Sequence, residues 1–229
     1  MLYPLSIHVN FHMKASMTDH TPETGRITLR PARPEDVKIA VKLVHAAGPE
    51  IYNNMLGRDE STALDILEKI FVTPEALVSF DNATIAEVDG RIMGMTILYT
   101  PRQELTQGKR FFKLVWQSLS FGRFLLALAY MLGMFYMVRK VASDSLYGGT
   151  IAVFPEARST GVGRAMMEFT MEKVRQMGLK RFEADVEIDN ENALRIYDKF
   201  GFRIVAKRKT GILKRLLGFE GFYRIHFDV

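Results

Sequence analysis

No cysteine occurs anywhere in the 229 residues. Disulfides, thiolate metal sites and a cysteine nucleophile are thereby excluded, and a reducing compartment fits, with the cytoplasm as the expected location. Histidine is sparse: of five, only His8 and His12 lie close together, and no acidic or third ligand accompanies them, so no metal site is expected. A dense basic stripe is also missing. The excess of 31 Lys+Arg over 26 Asp+Glu, a net +5, suits an anionic ligand rather than nucleic acid. The most apolar stretch, Phe124 to Val138 between Arg123 and Arg139, is uncharged for about fifteen residues, short of the roughly eighteen that argue a membrane span. The first residues lack a basic start followed by a sustained apolar run, so they do not read as a secretory signal. Residues 1–25 are expected to form a loose tail, with Met13 and Met17 as alternative starts.

What is present is a chain with 48% hydrophobic residues, enough to fill the core of one domain carrying an insertion. Residues 26–30 alternate as a strand, and Pro34, Glu35 and Asp36 have the composition of a helix first turn, followed by Val37, Val41 and Val44 at helical spacing. A second helix is expected from about Ser61. Residues 83–100 read as a hairpin turning at Asp89-Gly90. The segment from Arg102 to Asp144 looks helical and is open to three uses: filling a core or a homodimer interface, walling an apolar acceptor pocket, or touching a membrane surface. After it come a strand to Val153, a helix from Gly161 to Met177 with Val162, Met166, Phe169, Val174 and Met177 as its stripe, and a strand of strict alternation. Phe182, Ala184, Val186 and Ile188 face one way there; Glu183, Asp185, Glu187 and Asp189 form either a solvated face or a row that attracts a cation. A short helix buries Ala193, Ile196, Tyr197 and Phe200, and two strands flank a basic connection with Lys209, Lys214 and Arg215. The simplest partition is one α/β domain over 26–229 with a helical insertion at about 102–144.

Between the strand ending at Val153 and the next helix lies PEARSTGVGRA, in which Arg158, Gly161 and Gly163 make the pattern R-x-x-G-x-G. Glycine lets backbone approach a bulky anion, and a helix N-terminus supplies unpaired N–H groups and a positive dipole end, so the segment suits a pyrophosphate. No Gly-Lys-Ser/Thr follows, and Met166 stands where a dinucleotide fold would have its third glycine, so neither common nucleotide loop is met.

The segment IAVFPEARSTGVGRAMM resembles the central motif of the GNAT superfamily of acyl-CoA-dependent N-acyltransferases, and NENALRIYDKFGF, with Asn190, Ala193, Tyr197, Gly201 and Phe202, is similar to its later motif. The resemblance implies an α/β (α+β) fold with a mixed, mostly antiparallel central sheet flanked by helices, the apolar insertion preceding the fourth strand. It implies acetyl-CoA as co-substrate, no metal, and an amine acceptor on a small molecule or a protein. Ile151 to Val153 would lie beside the pantetheine arm, with the Val153 N–H polarising the thioester carbonyl. The amides of Arg158, Ser159, Thr160, Gly161, Val162, Gly163 and Arg164 would hold the pyrophosphate. Asn190 and Ala193 would flank the pantetheine, Asn190 also reading as a helix N-cap. Tyr197 would protonate the leaving sulfur, a task suited to a phenol whose reference pKa is about 10.

One departure touches the acceptor side. Where many members have an acidic residue before the loop, Gly149 stands. Deprotonation of the amine then falls to a water chain, or to Asp185 or Glu187. The expected activity is acetyl transfer to a primary amine by direct attack; a non-catalytic acyl-CoA-binding module and a membrane-surface acyltransferase for apolar acceptors are the alternatives.

Overall fold

The computed structural model describes residues 26–229 apart from Arg58 and Arg139. The expected tail with His8, His12, Met13 and Met17, and the flanking Arg139, lie outside the described residues. Strand β1 (Ile27–Pro31) ends on a proline, and Pro34 opens a single turn into α1 (Val37–Ala46), which buries Ala40, Val41, Leu43 and Val44. Helix α2 (Pro49–Leu56) has no counterpart in the sequence reading, because Asn53 and Asn54 interrupt its stripe and only Leu56 is buried. Helix α3 (Glu60–Phe71) starts one residue before the expected Ser61, since Asp59 caps it by accepting from the Thr62 N–H at 2.8 Å. The hairpin of β2 (Ala83–Val88) and β3 (Arg91–Tyr99) turns at Asp89 and Gly90, whose φ values of 50° and 77° match the positive pair a tight hairpin needs.

Thr100 leaves the strand to cap α4 (Pro101–Ser118), in a box with Gln103. The insertion is a pair of helices, α4 and α5 (Phe121–Met137), between β3 and β4 (Ser145–Val153). Helix α6 (Val162–Gln176), β5 (Arg181–Glu187), α7 (Glu191–Lys199), β6 (Arg203–Lys209), the short α8 (Lys214–Leu217) and β7 (Gly221–Asp228) complete the chain. The sheet order is β1-β2-β3-β4-β5-β7-β6, and only β4 and β5 run parallel. This is the mixed, mostly antiparallel sheet implied by the resemblance.

Helices cover both faces. On one, α1, α3 and residues Val115 and Ala127 of the insertion pack on Ile85, Met95, Ile97 and Tyr147. On the other, Met167, Met171 and Val174 of α6 meet Phe182, Ala184 and Val186 of β5. Two expected stripes need correction. Helix α6 buries two rows, because Val162 and Met166 turn toward Ala86 and Ala157, while Met177 is exposed beyond its end. In α7 it is Leu194 that joins Ala193, Tyr197 and Phe200 against the core, and Ile196 that is exposed. The insertion fills a core on one side only: α5 buries Phe124, Ala127, Tyr130, Gly133 and Met137, and the rest of its apolar surface stays outside.

Candidate active site

The parallel ladder of β4 and β5 runs from Ser145↔Arg181 to Gly148↔Ala184 and stops, although β4 continues to Val153 and β5 to Glu187. The two strands thus part in mid-sheet. On its other side β4 stays paired with β3, Gly94 opposite Val153 and Met95 opposite Ala152. The Phe154 N–H donates to the Met93 carbonyl at 2.9 Å, so Phe154 lies in a hydrogen-bonded pair. Alternation of antiparallel pairs then makes Val153 and Ile151 members of non-bonded pairs, with N–H and C=O directed away from β3 into the gap. A cavity of about 900 Å³ occupies the gap. Its lining includes Ala184 and Val186 from one face of β5 and Asp185 and Glu187 from the other, so it reaches both sides of the sheet.

At one end of β4 the chain turns into α6 through Ser159 and Gly161, whose φ values of 65° and 91° are left-handed. Such kinks direct successive amides to one side, the geometry of an anion nest. The first i→i−4 bond of α6 runs from the Ala165 N–H to the Gly161 carbonyl at 2.9 Å, so the amides of Val162, Gly163 and Arg164 have no acceptor within the helix. Gly163 is informative because nothing in the protein demands it. Its backbone is ordinary helix, and an added Cβ would meet only Val153 Cγ2, at 3.9 Å. Gly161 is required by its own φ. Arg158 and Ser159 are exposed at the rim, Arg164 is exposed while paired with Glu168 at 2.8 Å, and Thr160 donates its hydroxyl to the Ala157 carbonyl. These groups fit an anionic group lying outside the protein.

Beyond the gap, Asn190 caps α7 by accepting from the Ala193 N–H at 3.1 Å, and Asn190, Ala193 and Tyr197 all line the cavity. The Tyr197 ring stands edge-on to Phe202, centroids 5.1 Å apart, and burial pushes its phenol up to about 12. A proton held that firmly is not lost at neutral pH.

Within β5 the acids Glu183, Asp185 and Glu187 are not a solvated strand face, since each is buried or half-buried, whereas Asp189, beyond the end of the strand, is exposed. Glu183 is 7% exposed. The buried Arg224 of β7 donates from Nε and Nη2 to both oxygens of Asp185, at 2.7 and 2.8 Å, and from Nη1 to Glu183 at 2.7 Å. Tyr147 donates its hydroxyl to Asp185 at 2.9 Å, and Ser145 donates to Glu183 at 2.6 Å. Burial would raise the Glu183 carboxyl, but the Ser145 and Arg224 hydrogen bonds bring it below its usual value. Asp185 therefore has no oxygen left without a strong donor. Glu187 differs: burial, then Asp189 and Glu50, raise its carboxyl above the usual range. Glu104 of α4, also in the cavity lining, is raised chiefly by burial. Sequence reading missed Glu104 and Arg224. Glu104 is one of many helix carboxylates, whereas Arg224, the one Lys or Arg in a strand with Phe222, Tyr223, Ile225 and Phe227, carried a usable signal.

Gly149 has a packing reason. A Cβ there would lie 2.5 Å from Cε1 of Tyr99, so the Tyr99 ring occupies the space that a carboxylate side chain would need.

A model of the acetyltransferase (GNAT) family matches residues 58–202, and the chain belongs to that family. It is an acetyltransferase, an enzyme of the transferase class. No curated protein matches it. Among solved structures, an N-acetyltransferase from Staphylococcus aureus Mu50 shares the fold at a TM-score of 0.65 and 22% identity, over 87% of this chain and 99% of that one. Another acetyltransferase aligns at 0.64 and 18% over 88% and 98%, and an agmatine N-acetyltransferase at 0.58 and 14% over 89% and 99%.

Proposed function

We propose that the protein transfers the acetyl group of acetyl-CoA directly to a primary amine carried on an apolar body, the donor entering on the α6–α7 side of the gap and the acceptor on the α4–α5 side. The parting of β4 and β5 after Gly148 carries this reading. An open strand edge can hydrogen-bond an extended pantetheine arm, and the loop from Arg158 to Arg164 lies where the pyrophosphate end of such an arm would reach.

Each step has a group suited to it. The Val153 N–H, directed into the gap, stabilises the oxyanion formed when the amine attacks the thioester carbonyl. As the carbon–sulfur bond breaks, Tyr197 gives its proton to the thiolate. The amine must first be neutral. Glu187, whose raised carboxyl makes it a better base than an ordinary glutamate, takes that proton, with Glu104 facing the same space. Asp185, fixed by Arg224 and Tyr147, serves as a charge partner that holds β5 and β7 together. Leu105, Met131, Met134 and Phe135 give the acceptor side an apolar wall, which supports an acceptor with a hydrocarbon body rather than a small polar amine.

Thiol release from acetyl-CoA against a series of alkyl and aromatic amines tests the proposal. KM should fall as the apolar body grows. Tyr197→Phe should lower kcat by about a hundredfold or more, while acetyl-CoA affinity in calorimetry stays within about twofold. Absence of turnover with every amine, or full turnover by the phenylalanine variant, would overturn it.

A further inference from the structure

Half of the exposed large apolar side chains among the described residues, nine of eighteen, fall between Leu105 and Tyr136. They form stripes. Leu105, Phe112 and Trp116 recur along one side of α4, and Phe121, Leu125, Leu132 and Tyr136 along one side of α5, opposite the row that α5 buries. Leu105 is 73% exposed and Phe135 84%. Ordinary solvated helices do not present so much hydrocarbon.

This surface continues onto the turn containing α8. Helix α5 is closely apposed to it at Gly133, where a Cβ would come 3.0 Å from Leu217 Cδ2. The Tyr130 hydroxyl donates to the Leu217 carbonyl at 3.4 Å, and the Arg208 guanidinium donates to the Tyr136 carbonyl. Ile212, 97% exposed, and Leu216 thereby stand beside the exposed end of α5.

The charge of the same two segments is one-sided. Between Glu104 and Asp144 the sequence has six basic residues and no acidic one; from Lys199 to Phe219 it has seven and none. The remaining sequence holds 18 basic against 26 acidic residues; of the 13 basic ones in these two segments, Arg110 pairs with Glu75 at 3.3 Å and Lys214 with Glu220, which still leaves a cationic region on an otherwise acidic chain.

We propose that this face docks on an anionic lipid bilayer surface. Side chains such as Leu132, Phe135 and Ile212 enter the boundary between headgroups and acyl chains, and Lys209 and Arg215 meet the anionic headgroups. Charge selects this occupant. A second copy of the chain would set one cationic face against another, and nucleic acid offers nothing to cover protruding aliphatic side chains. Among the described residues no helix is long and apolar enough to cross a membrane, so the chain lies on the surface. Because Leu105 and Phe135 also line the cavity, docking would set its mouth against the lipid. The docking argument does not depend on the acetyl-transfer reading.

Flotation of the full chain with vesicles of phosphatidylcholine alone and of phosphatidylcholine mixed with phosphatidylglycerol tests it. The chain should float with the mixed vesicles only, and less as salt rises. Lys209→Glu and Arg215→Glu should each weaken partitioning by about fivefold or more. The double variant Leu132→Glu, Ile212→Glu, at residues outside the cavity, should lose flotation while keeping its thermal unfolding midpoint and its thiol release. Three results would overturn the proposal: no flotation of the intact chain with anionic vesicles, equal flotation with neutral ones, or a stable dimer in sedimentation that the double variant splits.

Discussion

Two carboxylates two positions apart on β5 have different chemistry because of what each one touches. Asp185 accepts from three donors, Arg224 at Nε and Nη2 and the Tyr147 hydroxyl. Glu187 has burial and two neighbouring acids, Asp189 and Glu50, which together raise its carboxyl. A base works only when deprotonated, and a raised carboxyl loses its proton at higher pH than usual. The acid limb of kcat/KM should therefore rise through a window above the ordinary glutamate value of about 4.3. Glu187→Gln should flatten that limb in a pH–rate profile. A limb left unmoved would shift the role to Glu104, which is raised as well. None of this could be read from the alternation of β5, which gives two sides but not which one is covered. Arg224, 39 residues beyond Asp185 in sequence, decides the matter from the neighbouring strand β7, where it stands directly opposite Asp185.

At the scale of elements, the start of α6 and the edge of β4 make opposite demands on their glycines. Gly163 is free of steric need within the protein, so Gly163→Ala should stabilise the helix by up to about 1 kcal/mol yet weaken acetyl-CoA binding, because the added methyl stands where the anion approaches. Thermal unfolding and calorimetry on the same sample check the two signs. A variant that gains stability and loses no affinity would place the pyrophosphate elsewhere. Gly149 is the converse case. Gly149→Ala puts a methyl 2.5 Å from the Tyr99 ring, an overpacking expected to cost about 1–3 kcal/mol, measurable by denaturant unfolding. No loss of stability would mean that Tyr99 swings away freely. The strand–loop–helix course of the R-x-x-G-x-G segment was legible because its geometry is local, a left-handed turn feeding a helix N-terminus. The missing acid at Gly149 was legible only as an absence; its cause, a tyrosine 50 residues earlier, is a matter of packing between strands.

For the whole molecule, the gap between β4 and β5 is a defect in the sheet that a ligand can fill. A ligand that binds only the folded chain stabilises it by mass action, about 2.7 kcal/mol at a hundredfold excess over Kd. For a chain of this size, that corresponds to a rise in Tm of roughly 5–10 °C. Thermal shift with acetyl-CoA should show it, and Gly163→Asp should abolish it by setting a carboxylate against the pyrophosphate. An equal shift in both proteins would remove the loop from coenzyme binding. The insertion acts at this scale too, since α4 and α5 line the cavity opposite the acids of β5 with one side and leave the other uncovered.

The sequence by itself determined the strands and helices from β4 to α7, including the loop from Arg158 to Arg164 and the helix of Tyr197. In each of these, spacing along the chain and backbone geometry act over a few residues, and the family's motifs lie in those same segments. Only the tertiary structure decided that the acidic face of β5 is buried, that both Asp185 oxygens accept from Arg224, that Tyr99 fills the space beside Gly149, and that the apolar insertion is a pocket wall with a bare outer face. The physical reason is common to all four: burial and charge pairing depend on which distant segments meet, and a pattern of period two or 3.6 names a face without naming what covers it.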